Sequence, residues 1–148
     1  MKKYSFSLLG SDGKTYTQND FLNGKIVIYA YPKDMTPGCT IQANQFEELK
    51  PEFEKLGVQI FGISSDSDEK HQKFCEKENL SFVLLADPEH QLLEPIGAWR
   101  EKVNFGKRYM GIARSTYLFQ NGELVKQWKA ARANGNAEKC LQWWQENL

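Results

Sequence analysis

Cys39 stands directly behind Thr36, Pro37 and Gly38 in the stretch YPKDMTPGCT, Tyr31 to Thr40. Each of the three residues before it has a place at the start of a helix. Thr36 suits the N-cap, Pro37 suits the first helical position, and Gly38 lets other atoms approach the backbone closely. Cys39 then falls at the third helical position, among unpaired amide N–H groups at the positive end of the helix dipole, where an anion is favoured by ~0.3–1 kcal/mol. It fills the slot that Glu takes in a capping box, so a thiolate there could accept hydrogen bonds from the amide or hydroxyl of Thr36. A cysteine so placed is a candidate nucleophile, and the competing reading is a small buried hydrophobe.

The elements that must position this cysteine can be read from the apolar pattern. KIVIYAY (Lys25 to Tyr31), VQIFGIS (Val58 to Ser64), FVLLAD (Phe82 to Asp87) and STYLF (Ser115 to Phe119) are nearly continuous apolar runs, as expected of strands covered on both faces. Between the first two, Phe46, Leu49, Phe53 and Leu56 recur at helical spacing and Gly57 closes the pattern, while Pro51 inside it predicts a break or kink. A second helix is expected over Ser67 to Glu78 with Ser67 as N-cap, and a last one behind Asn136 as cap, with Leu141 and Trp144 on its apolar face. Asn121-Gly122 signals a hairpin joining STYLF to ELVKQWKA, and Ser11-Asp12-Gly13 a small hairpin at the N-terminus. The order describes an α/β sandwich with a mixed sheet, thioredoxin-like, in one domain over residues 1–148. Cys39 then lies where a central strand ends and the first long helix begins, the place where open α/β sheets bind ligands.

Composition narrows the chemistry. The 19 Lys and Arg balance the 19 Asp and Glu, which argues against a nucleic acid or membrane-surface partner. The apolar run behind Met1-Lys2-Lys3 is broken by Ser11, Asp12 and Lys14, so an export signal is not expected, nor is a membrane span, and a cytoplasmic protein is. The three cysteines, Cys39, Cys75 and Cys140, form no C-x-x-C pair, which leaves no zinc site or thioredoxin-type dithiol and points to free thiols in a reducing compartment.

Pro32, Thr36 and Cys39 reproduce the P-x-x-x-T-x-x-C motif of the peroxiredoxins. YPKDMTPGCT resembles the active-site segment of the subfamily called bacterioferritin comigratory protein or peroxiredoxin Q, and GISSDS, GAWREK and FGKRYMGIARSTYLF resemble it in order and spacing. The resemblance implies that the Cys39 thiolate attacks a peroxide oxygen and becomes a sulfenic acid. It implies that Thr36 orients sulfur and peroxide, that Arg114 in GIARS holds the thiolate and the polarised O–O bond, and that Pro32 shields the site. Gln42 sits where many peroxiredoxins carry Glu, and could still hydrogen-bond the arginine.

Many members of that subfamily place a resolving cysteine five residues after the reactive one, where this chain has Asn44. A branch of the subfamily carries it on the second helix, which by resemblance makes Cys75, 36 residues beyond Cys39, the expected disulfide partner. Two cysteines on different helices need Cα atoms within ~7 Å to bond, so helix ends farther apart must unwind locally. Cys140 is expected to pack as a core residue, and His71 and His90 to be solvated. The resemblance implies a peroxidase recycled by thioredoxin or a similar dithiol, without metal or cofactor, acting as a monomer. The alternatives are a one-cysteine peroxidase recycled by glutathione or glutaredoxin, a non-enzymatic chaperone of thioredoxin fold, and a metallochaperone, against which Ala43 stands where a second cysteine would be needed.

Overall fold

A computed structural model describes residues 1–148. Nine strands and three α-helices follow one another as β1 (Ser7–Gly10), β2 (Thr15–Thr17), β3 (Lys25–Ala30), α1 (Pro37–Lys55), β4 (Val58–Ser64), α2 (Asp68–Glu78), β5 (Val83–Ala86), β6 (Trp99–Asn104), β7 (Lys107–Ile112), β8 (Ser115–Gln120), β9 (Glu123–Trp128) and α3 (Asn136–Glu146). Seven strands form one mixed sheet in the order β2-β1-β5-β4-β3-β8-β9, while β6 and β7 pair only with each other. The four apolar runs form its centre. β3, β4 and β5 are parallel, and β8 runs antiparallel beside β3 with Ala30 opposite Ser115. The N-terminal hairpin is not an appendage, because β1 pairs with β5 and extends the main sheet.

One face of the sheet packs against α1 and α3 through a core that includes Tyr29, Phe46, Phe53, Leu118 and Trp144. Phe46 and Phe53 on α1 are fully enclosed, each stabilising the helix on the sheet by about 1.5–3 kcal/mol. Tyr29 of β3 stacks on Phe46 with ring centroids 4.5 Å apart, which pins the helix directly behind the loop that carries Cys39. On the other face Phe6, Phe21, Ile28, Phe61 and Tyr117 form a second core.

Two helix ends differ from expectation. α1 is not broken at Pro51 but runs through it, with Pro51 on its exposed side, where the ring displaces no core side chain. The N-cap of α3 is Gly135 at φ 93°, without a side-chain cap, and Asn136 is instead the first helical residue, turned inward. Ser67 does cap α2, its hydroxyl accepting from the Lys70 amide. No helix is long and apolar enough to cross a membrane.

Candidate active site

The ends of β3 and β4 and the start of β8 meet at one edge of the sheet. The Tyr31 amide donates to Ile63 of β4 (3.1 Å), and the register that sets Ala30 beside Ser115 brings Arg114 next to the loop of residues 31–36. That loop ends at Thr36, whose extended backbone (φ −84°, ψ 154°) starts α1 with Pro37 in its first turn. Cys39 therefore sits in the first turn of α1, 1 % exposed, packed against the core side of β3. Helix dipole and unpaired first-turn amides both favour negative charge at its sulfur.

Arg114 supplies a second source of positive charge. Its Nη2 donates to Cys39 Sγ at 3.4 Å and its Nη1 to Gln42 Oε1 at 2.6 Å, so the guanidinium is held as a fork over the helix start. Gly38 is what permits the approach, because a Cβ there would lie 3.2 Å from Nη2. Gln42 is fully buried and passes the interaction on, its Nε2 donating to Asn136 Oδ1 (3.2 Å), which also accepts from the Thr116 hydroxyl (2.7 Å). A neutral amide at position 42 thus anchors Arg114 without offsetting its charge. Asn136 and Thr116 in this chain were hidden in the sequence, since they reach Gln42 only through the packing of α3 and β8 against α1.

Thr36 behaves differently from a capping residue. Its hydroxyl donates to the Lys33 carbonyl (2.8 Å) and makes no side-chain cap, so its proton is engaged within the loop rather than with the sulfur. Pro32 is half-buried at the start of the same loop.

Behind the loop lies a cluster that contradicts the expectation of a solvated His71. His71 is fully enclosed on α2, with Nε2 2.9 Å from the Leu85 carbonyl of β5 and Nδ1 2.6 Å from Asp34 Oδ2. Asp34 also accepts from the Tyr31 hydroxyl (2.5 Å), and its amide donates to Asp66 Oδ2 (2.8 Å). Burial works against charge on Asp66, but hydrogen bonds from the Asp34 amide, the Ser64 hydroxyl and Lys70 hold its carboxyl below the ordinary value. Asp34, Asp66 and His71 offer ligand atoms within 4.8 Å of one another, as a metal site would, yet Lys70 Nζ lies 3.2 Å from Asp66 and the other atoms are engaged in the hydrogen bonds just named. His90 is half-exposed and stacks on Trp99 with ring centroids 3.7 Å apart.

The three thiols are free and have distinct surroundings. Cys75, one turn beyond His71 on α2, is half-buried at the edge of the core that holds Cys39; burial pushes its thiol up, while a hydrogen bond with Ser11 works the other way. Cys140 is fully buried on α3 and burial alone drives its thiol far above the ordinary range. Asn44, where the commonest partner thiol would stand, hydrogen-bonds Glu78 of α2 at 3.0 Å. Tyr29 turns its hydroxyl into the same core without a partner, and its own ionisation is suppressed first by burial and then by the neighbouring Cys39 sulfur and Asp34.

Comparison with known proteins agrees with this arrangement. Residues 2–127 match the AhpC/TSA family. The chain is 46 % identical over 142 residues to peroxiredoxin Bcp of Bacillus subtilis, covering 95 % of this chain and 90 % of that protein. It is 39 % identical over 143 residues to peroxiredoxin Bcp of Escherichia coli, covering 96 % and 92 %. In three dimensions it matches the bacterioferritin comigratory protein of Xanthomonas campestris, studied for its alkyl peroxide reduction activity, with a TM-score of 0.91 at 35 % identity over 96 % of this chain and 91 % of that one. A buried thiol beside an arginine on a thioredoxin-like sheet, and likeness over almost the whole length, lead to one conclusion: the chain belongs to the AhpC/TSA family, in its bacterioferritin comigratory protein or peroxiredoxin Q branch.

Proposed function

We propose that this protein is a thiol-dependent peroxidase that reduces hydrogen peroxide and organic hydroperoxides at Cys39. The observation that carries the reading is the Arg114 guanidinium 3.4 Å from a sulfur in the first turn of α1. The Cys39 thiolate attacks one peroxide oxygen, the O–O bond breaks, and the second oxygen leaves as water or an alcohol after taking a proton. Arg114, already donating to the sulfur, stabilises the negative charge that moves from sulfur to the departing oxygen. Thr36, whose hydroxyl donates to the Lys33 carbonyl, accepts a hydrogen bond from the peroxide hydroxyl and so orients it. Pro32 closes the rim of the loop against water.

Cys39 is left as a sulfenic acid. Cys75 then attacks it, the S–O bond breaks, water leaves, and an intramolecular disulfide forms. What supports Cys75 over Cys140 is exposure: Cys75 is only partly buried at the edge of the core that contains Cys39, whereas Cys140 is fully enclosed within it. An external dithiol, thioredoxin or one like it, reduces the disulfide, and the enzyme works as a monomer in the cytoplasm, a compartment that suits three unpaired thiols.

Non-reducing peptide mapping after one equivalent of peroxide tests the cycle. The expected product links Cys39 to Cys75 within one chain, and Cys39→Ser abolishes peroxide consumption. Full turnover with thioredoxin by Cys75→Ser would instead assign a one-cysteine cycle.

A further inference from the structure

The two segments that must meet to make the disulfide are already joined by a buried polar contact. Asp34 lies five residues before Cys39, and His71 lies four before Cys75, so each cysteine is one turn or a little more from one half of the same pair. Asp34 is 2 % exposed and His71 fully enclosed, with Nδ1 and Oδ2 2.6 Å apart. We propose that the Asp34–His71 pair latches the Cys39 loop to the Cys75 helix, so that the two segments open together, and that this latch sets how often the sulfenic acid is captured by Cys75 rather than oxidised again. The proposal rests on Cys75 being the resolving thiol.

The physical basis is the isolation of the pair. Nδ1 of His71 and Oδ2 of Asp34 are within hydrogen-bond distance of each other, and Nε2 is already committed to the Leu85 carbonyl of β5. If the Cys39 loop lifts away alone, His71 is left inside the protein with a polar nitrogen unpaired, and if α2 unwinds alone, Asp34 is left with the Tyr31 hydroxyl as its one remaining side-chain partner. Either orphan is costly in a dry interior, whereas opening both segments returns both groups to water. The loop is also under tension, because Met35, directly beyond Asp34, holds φ at 64°, a region L-residues avoid. By contrast the far end of α2 and the segment just behind it are tied to α1 by solvent-exposed contacts, Asn44 to Glu78 and Ser81 to Glu47.

While latched, the site is assembled for attack on peroxide, with Cys39 and the free Cys75 thiol held on separate helices, α1 and α2. A second peroxide can then oxidise the sulfenic acid, with RSO⁻ and ROOH giving RSO₂⁻ and ROH. Once unlatched, Cys75 displaces water from the sulfenic acid and the disulfide forms.

The test uses the reduced full-length protein with the variants Asp34→Asn, His71→Gln and their double, which retain polar groups of similar reach. Hydrogen exchange read by mass spectrometry should rise about tenfold in both residues 32–44 and residues 68–80 for either single change, with no further rise in the double variant. Exchange that rises only in the segment carrying the substitution, or increments that add in the double, overturns the latch. Rapid quenching with one equivalent of peroxide should show the disulfide forming about tenfold faster, and excess peroxide should leave correspondingly less sulfinic acid per turnover. Disulfide formation at the wild-type rate despite coupled exchange overturns the kinetic part. Should wild-type protein form no Cys39–Cys75 disulfide, the resolving assignment falls while the exchange data still decide the latch. If either variant fails to fold, Tyr31→Phe removes one hydrogen bond of the same network with an isosteric ring and should raise exchange in both segments as well.

Discussion

Arg114 reaches Cys39 through the gap left by the missing side chain of Gly38: Nη2 is 3.4 Å from the sulfur, and a Cβ on Gly38 would stand 3.2 Å from that nitrogen. Gly38→Ala should therefore displace the guanidinium by a few tenths of an ångström while leaving the backbone unstrained, since Gly38 lies in ordinary helical conformation. The expected result is a peroxide rate constant about tenfold lower at unchanged or slightly higher stability, because Ala is the better helix former by ~1 kcal/mol. Stopped-flow peroxide reduction beside a denaturant melt separates the two effects.

Gln42 holds Arg114 from the other side. Gln42→Leu keeps the volume but leaves Nη1 of Arg114 and the Asn136 side chain each short of a partner, so stability should fall by ~1–3 kcal/mol. The first chemical step should slow and disulfide formation should not, which single-turnover kinetics with one equivalent of peroxide would resolve.

Cys140 is the internal control. Its thiol is enclosed and pushed up by burial, so it remains protonated through the working pH range and is out of reach of reagents. Cys140→Ala should retain wild-type turnover, and iodoacetamide should label Cys140 only after unfolding. Cys75, raised less and half exposed, should be alkylated in the native protein at a rate that climbs with pH as its thiolate forms.

Asp66 gives the acid limb of stability. Its folded carboxyl lies below the ordinary value of 3.8, despite burial, because the Asp34 amide, Ser64 and Lys70 hydrogen-bond its charged form. A depressed acid contributes stability that is fully present above the unfolded value and is lost as pH falls through the folded one. Thermal melts of wild type and Asp66→Asn should differ most near neutral pH and converge on acidification below 3.8. A constant difference across that range would mean that the charge is not what Asp66 contributes.

What the sequence determined by itself is local. Thr36-Pro37-Gly38 marks the start of α1, and the unbroken apolar runs mark β3, β4, β5 and β8, because caps, turns and two-sided burial are written in adjacent residues. The motif around Cys39, read by resemblance, pointed to Arg114 as its partner, and the two do meet. Three features escaped. The β6–β7 hairpin shows no alternating pattern, because much of both its strands faces solvent and no buried face had to be encoded. Asn136 read as a cap because it opens α3, but the left-handed Gly135 takes that place and frees Asn136 to turn inward to Gln42, 94 residues away. His71 read as solvated because its sequence neighbours are charged, yet it fills the space between Asp34 and Leu85. Only the parallel register of β3, β4 and β5, with α2 crossing from β4 to β5, brings a histidine 37 residues downstream against the loop that carries Asp34. A contact of that kind is fixed by how whole elements stack, which no window of neighbouring residues contains.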